Sequence, residues 1–300
     1  MIRLASSLKA PRPVELRTSQ LEVSLAVAAR FARRHAIAAI YRAGSGDAGA
    51  ALSCAELLAC LYGAELNLWP STVGDPDRDR FVLSNARATS ALYSIGAHFG
   101  FCDANEALNL GKLGSKFQVH PRAASLGFVD ASTGTPGQGF STALGMAIGL
   151  RLERRPSRVY ALMGGDEMQS GEVWEAAMCA AHHRLENFCA IVDLNDPPIE
   201  NGNEVILRVE PLAAKWRAFD WAVAEVDGND IRQILAAFRR AASVQERPAM
   251  IVAHTVRGKG VSSLEGVASS DGPMSAKQAA EALSSLGMSN KEVTELLGER

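Results

Sequence analysis

Apolar residues alternate along this chain between short unbroken runs and longer stretches with helical spacing. The clearest example begins at residues 159 to 163 (VYALM), an unbroken run closed by Gly164-Gly165, where the backbone can bend sharply or approach a ligand closely. Residues 171 to 184 then place Val173, Ala176, Ala177, Ala180 and Ala181 at helical spacing, and residues 188 to 194 (FCAIVDL) form a second buried-strand run. The pattern predicts two parallel strands joined by a helix. Ligands of an open parallel sheet collect at the carboxyl ends of its strands, so Asp166 and Asn195, each just past a strand end, are expected to converge there. A carboxylate and an amide oxygen suit magnesium, which prefers hard oxygen ligands and usually keeps phosphate oxygens in its shell. A diphosphate is the natural third party, although an Asp at this place can equally cap the following helix.

The same rhythm continues on both sides. Ser19 with Glu22 makes a capping-box pattern for a long helix through residue 41, and Ser53 with Glu56 makes another for a helix ending near residue 66. Residues 221 to 226 and 248 to 254 read as two further strands with a helix over 230 to 242 between them. Two closing helices start at Ser275 with Gln278 and at Ser289 with Glu292. The predicted class is α/β, a mostly parallel sheet of at least five strands flanked by helices. With no repeat or internal linker, residues 1 to 300 are read as one domain carrying a tail over 1 to 18.

Composition narrows the function. At 47% apolar, the 300 residues suffice for a large buried core. The net charge is −2 and the pI about 6.3, and no basic run appears, which argues against a nucleic-acid binder. Cys54, Cys60, Cys102, Cys179 and Cys189 lack zinc-type spacing and read as reduced core thiols. No apolar stretch reaches the length of a membrane span and residues 1 to 20 lack a secretory pattern, so a cytoplasmic location is expected.

Several stretches carry a family resemblance. The run EVWEAAMCAAHHRLENFCAIVDLN, the segment DRDRFVLSNARATSALY (77 to 93), the stretch QVHPRAASLGFVDASTGTPGQG and the run HTVRGKGVSSLEG (254 to 266) resemble, in the same order, the amino-terminal subunits of split transketolases. The resemblance implies a thiamine diphosphate-binding fold, thiamine diphosphate and Mg2+ as cofactors, and transfer of a two-carbon ketol or acyl unit from a keto donor to an aldehyde-like acceptor. The family's Gly-Asp-Gly-Glu falls on Gly164-Gly165-Asp166-Glu167, so Gly165 holds the metal-binding position and the carboxylate has moved one place on. One residue is about 3.8 Å of chain, large beside a metal bond near 2 Å. A re-routed glycine turn is expected to let Asp166 bind the ion with Asn195 and a backbone carbonyl near Pro197.

The remaining site residues follow from the same alignment. His120 keeps the family's histidine near the aminopyrimidine and substrate, Gly134 and Pro136 lie in the glycine turn against the cofactor, and Lys259 lies in a loop over it. The changes are equally specific. Asp47, Arg87 and Asp271 stand where the family has histidines. Arg87 cannot shuttle protons near neutral pH but can bind diphosphate oxygens. His120 and Asp271 are the expected catalytic residues, with Arg87, Gly134, Pro136, Gly165, Asp166, Glu167, Asn195 and Lys259 around the cofactor. Ionised Asp47 and Asp271 would repel a developing oxyanion, so a donor other than the usual pentose phosphates is expected. The pyrimidine-binding and carboxy-terminal domains are absent, which implies a partner subunit in an α2β2 assembly. Four altered positions also admit a second reading, a catalytically silent scaffold that keeps the fold.

Overall fold

The computed structural model describes residues 18–195, 209–267 and 272–298. Its centre is a five-stranded, wholly parallel sheet of β1 (Arg80–Leu83), β2 (Val159–Gly164), β3 (Phe188–Leu194), β4 (Ala222–Asp227) and β5 (Ala249–His254), in the order β1-β2-β3-β5-β4. The helices are α1 (Thr18–Ala43), α2 (Ala48–Ser53), α3 (Ala55–Cys60), α4 (Thr89–His98), α5 (Ala104–Ala107), α6 (Gln138–Leu152), α7 (Gly171–His182), α8 (Leu212–Ala218), α9 (Ile231–Ala242), α10 (Ala276–Ser285) and α11 (Asn290–Leu297).

The unbroken apolar runs have a simple cause: both faces of the sheet are covered. Alternate residues of each strand enter different cores. Tyr160, Leu162, Cys189, Ile191, Ala249 and Ile251 pack with α1, α3, α4 and α9, whereas Val159, Ala161, Phe188, Ala190, Val192 and Met250 pack with α6, α7 and α8. On the second face Phe140, Phe188, Trp216 and Trp221 form one aromatic cluster, with Trp221 donating to the Ala177 carbonyl. Truncating a buried ring such as Phe140 to Ala would cost about 3–5 kcal/mol.

Strand order places the site. The chain runs outward from β1 to β3, skips to β4 at the edge, and returns to β5. Right-handed crossovers put the helix of a reversed step on the opposite face, which is why α9 leaves the side held by α7 and α8. The next described helices after β3 and β5, α8 and α10, lie on opposite faces, the arrangement in which an open parallel sheet takes its ligand at the carboxyl ends of the strands.

The strand boundaries match the sequence pattern, and Ser275 with Gln278 and Ser289 with Glu292 form the expected capping boxes. Two expected caps are corrected. Ser19 lies inside α1, which already includes Thr18. Ser53 is the last residue of α2, and its hydroxyl donates across the fold to Asp193 while Glu56 takes a buried two-pronged bond from Arg33. The five cysteines are free thiols, with Cys54, Cys60 and Cys189 buried. Among the described residues no helix is long and apolar enough to cross a membrane.

Candidate active site

Two clusters meet at the carboxyl edge of the sheet. The first joins the ends of β1 and β2 to the start of α6. Ser84, just past β1, donates to Glu167 Oε2 at 2.7 Å and accepts from the Phe140 N–H at 3.2 Å. That contact needs Gly139, because a Cβ there would come within 2.6 Å of the Ser84 Cα. Gly137, with φ of 85°, turns the chain into α6, whose amino terminus faces the crevice. His120 is exposed, its ring edge 3.4 Å from where a Cβ on Gly134 would lie, and Pro136 accepts from Ser170 through its carbonyl. His120 and the glycine turn are therefore neighbours.

Glu167 is buried in this cluster. Burial pushes its carboxyl up to about 8; the Ser84 hydrogen bond opposes the rise and the Asp166 charge adds to it. The Gly137 and Gly164 N–H groups point toward it and favour its charged form, yet neither reaches Oε1 in good geometry, and that oxygen has no hydrogen-bond partner.

Asp166 goes elsewhere. It lies in a tight turn, Gly165–Gln169, and does not cap α7, which starts behind Ser170. Its carboxylate folds back over Gly164, with Oδ1 2.6 Å from an ideal Cβ there, beside the Asn85 amide, and Oδ2 lies 3.5 Å from Arg87 Nη2. Asn195 instead hydrogen-bonds Asp193. Asp166 thus pairs with Arg87, while the Asn195 amide N–H donates to Asp193 and leaves the Asn195 oxygen outside that bond. Pro197 and Asp271 lie outside the described residues.

The second cluster is built on Asp193, fully buried at the end of β3. Ser53 Oγ donates to Oδ2 at 2.5 Å, Thr255 Oγ1 donates to Oδ1, and Asn195 adds a third bond. Burial pushes this carboxyl up to about 6, against those bonds and the Arg257 charge. Above it, Arg257 Nη2 lies 2.7 Å from both oxygens of Asp47, whose Oδ1 also caps α2 by accepting from the Ala50 N–H at 3.0 Å. Asp47 is 1% exposed in its side chain, so its carboxylate faces protein and not the crevice. The loop after β5 is fastened further where the Gly258 N–H donates to the Gly49 carbonyl. Lys259, in that loop, is partly exposed and 3.9 Å from Glu265. The clusters touch where a Cβ on Gly165 would meet Leu194 Cδ1 at 3.0 Å and the Asp193 carbonyl at 3.7 Å.

Sequence reasoning overlooked Ser84, Asn85, Asp193 and Arg257. The one visible signal was the acid inside the apolar run FCAIVDL, since a carboxylate in a two-faced parallel strand must be partnered.

Comparison with known proteins identifies the family. The family model "Transketolase, thiamine diphosphate binding domain" matches residues 25–297. The chain is similar to the 6-deoxy-6-sulfo-D-fructose transketolase subunit SqwG of Clostridium sp., 36% identical over 248 residues, covering 83% of this chain and 90% of that one. It is also 34% identical over 236 residues to one subunit of the apulose-4-phosphate transketolase of Phocaeicola vulgatus, covering 79% of this chain and 84% of that subunit. Among solved structures, the transketolase of Campylobacter jejuni superposes with a TM-score of 0.78 at 28% identity, over 90% of this chain but only 43% of its own length.

Proposed function

The chain belongs to the transketolase family, as its thiamine diphosphate-binding domain, and we propose that it is the diphosphate-binding subunit of a transketolase-like transferase completed by a second subunit. The observation that carries this is the arrangement at the sheet's carboxyl edge, where the Ser84 hydroxyl ties the end of β1 to Glu167 after β2 and to the start of α6, and where Gly137 and Gly164 leave no room for a Cβ beside Ser170 and Asp166. The α6 amino terminus and the Arg87 guanidinium suit an anion.

Bound thiamine diphosphate supplies the carbanion and electron sink for moving a two-carbon unit from a keto donor to an aldehyde acceptor. This chain's share is to bind and orient. Arg87 and the α6 amino terminus hold the diphosphate, Gly134 and Pro136 shape the floor, and Lys259 lies over the crevice. His120 holds or passes a proton at its ring nitrogen toward a donor hydroxyl. Magnesium on Asp166, Asn195 and a carbonyl at Pro197 is the arrangement the resemblance implies, and it requires Asp166 to leave Arg87 and turn toward β3. The second subunit carries the pyrimidine-binding and carboxy-terminal domains in an α2β2 assembly, consistent with relatives that are themselves named as subunits.

Donor choice departs from the usual pentose phosphates. The buried Asp47 contributes no hydrogen bond to a donor hydroxyl, and Arg87 replaces a neutral proton carrier by a fixed cation. The reconstituted complex should turn over a ketose or 2-oxo acid only when thiamine diphosphate is present, with xylulose 5-phosphate slower than the best donor of a panel. Turnover independent of the cofactor would end this reading. Saturable cofactor binding without turnover of any donor would make the chain the silent scaffold.

A further inference from the structure

Two residues that break the family pattern face each other. Arg87 follows β1 and Asp166 follows β2, and their side chains are 55% and 44% exposed at a separation of 3.5 Å. The turn dictates this pairing. A side chain on Gly165 would point at Leu194 and the end of β3, toward Asn195, whereas Asp166 folds back over Gly164 toward Asn85 and Arg87. Moving the carboxylate by one residue therefore turns it from one side of the crevice to the other. Asn195 donates its amide N–H to Asp193, and its oxygen is not engaged by that bond. The donor set fits a guanidinium better than a divalent ion, and a dication placed on Asp166 would sit beside a fixed positive charge.

We propose that Arg87 takes over the charge-neutralising role of the divalent ion, so that this chain binds the cofactor's diphosphate through a guanidinium and needs no metal to do so. Asp166 is the placeholder that aims Arg87. A half-exposed pair at 3.5 Å is weak and screened, so phosphate oxygens displace the carboxylate at little cost. The guanidinium fork gains shorter, charge-assisted bonds to phosphate in exchange. The inference rests on the reading that the chain binds thiamine diphosphate, and the test separates the two.

Thiamine diphosphate is titrated calorimetrically into the complex of this chain with its second subunit, in EDTA and in excess magnesium. The expected dissociation constants agree within about threefold. Arg87→Ala should weaken binding in EDTA roughly tenfold to a hundredfold, the range for losing hydrogen bonds from a charged donor. Arg87→Lys should recover part of it, since an ammonium keeps the charge but not the fork. A triple variant, Arg87→His with Gly165→Asp and Asp166→Gly, should make binding depend on magnesium. Wild-type binding that appears only with magnesium overturns the inference and leaves the proposed function standing, as does undiminished binding by Arg87→Ala. Absence of saturable binding in both buffers overturns the two together.

Discussion

The two arginine–aspartate pairs at the carboxyl edge of the sheet use the same chemistry in opposite surroundings. Arg257 and Asp47 are 10% and 1% exposed and meet at 2.7 Å through both carboxylate oxygens, while Arg87 and Asp166 are half-exposed and 3.5 Å apart. In the first, the carboxylate also caps α2 and the arginine fastens the loop after β5, so the pair is part of the scaffold. In the second, neither partner makes a backbone hydrogen bond among the described residues, and both side chains are about half in water. Burial decides which pair is architecture and which is available to a ligand. The contrast also changes the meaning of the altered positions. Asp47, expected to repel a developing oxyanion, is turned into protein and neutralised, whereas Arg87 is the substitution the crevice presents.

The largest effect should come from breaking the buried pair. Asp47→Ala leaves the Arg257 guanidinium without its carboxylate and removes the α2 cap, and urea unfolding should show a loss of about 3–5 kcal/mol, with roughly 1 kcal/mol of it from the cap. The double variant Asp47→Ala with Arg257→Met should recover much of that, because the stranded charge is gone. A loss below about 1 kcal/mol for the single variant would mean the pair behaves like an exposed one.

Glu167 sharpens the comparison, being a buried carboxyl with no cation beside it among the described residues. Its folded pKa, about 8, lies above the usual value of 4.5. Between those values the native state keeps a proton that the unfolded chain has released. Stability therefore falls as pH rises through that window. Glu167→Gln removes this titration, so the variant should gain on the wild type by on the order of 3 kcal/mol between about pH 5 and pH 8.5. Denaturant midpoints at the two pH values provide the check, and parallel profiles for the two proteins would show that Glu167 is not held protonated by burial.

These environments explain what could be read from sequence. The strands were legible because a parallel sheet covered on both faces demands unbroken apolar runs, and FCAIVDL supplies one with its boundaries intact. The caps at Ser275 and Ser289 were legible because all their partners lie within three residues. Ser53 shows the same local pattern and fails, since its hydroxyl serves Asp193, 140 residues away. Site residues could be named but not aimed. Asp47 and Asp166 are both carboxylates in glycine-containing segments, and only the fold shows one turned inward to Arg257 and the other outward to Arg87. The Asp193 hub was hidden for the same reason, because two of its partners, residues 53 and 255, come from distant parts of the chain.

The smallest effect on stability should come from the variant with a large effect on ligand binding. Among the described residues Arg87 donates to no backbone carbonyl, and its ion pair with Asp166 spans 3.5 Å with both side chains about half in water. Exposed pairs of this kind contribute about 0–1 kcal/mol and less in salt. Arg87→Ala should thus unfold within about 0.5 kcal/mol of the wild type, with a smaller difference in roughly 0.5 M NaCl. If the variant instead lost several kcal/mol, Arg87 would belong with Arg257 as a structural residue, and weakened cofactor binding could no longer be credited to a missing guanidinium. Near-native stability together with weakened diphosphate binding is the combination expected of a residue held in place for a ligand.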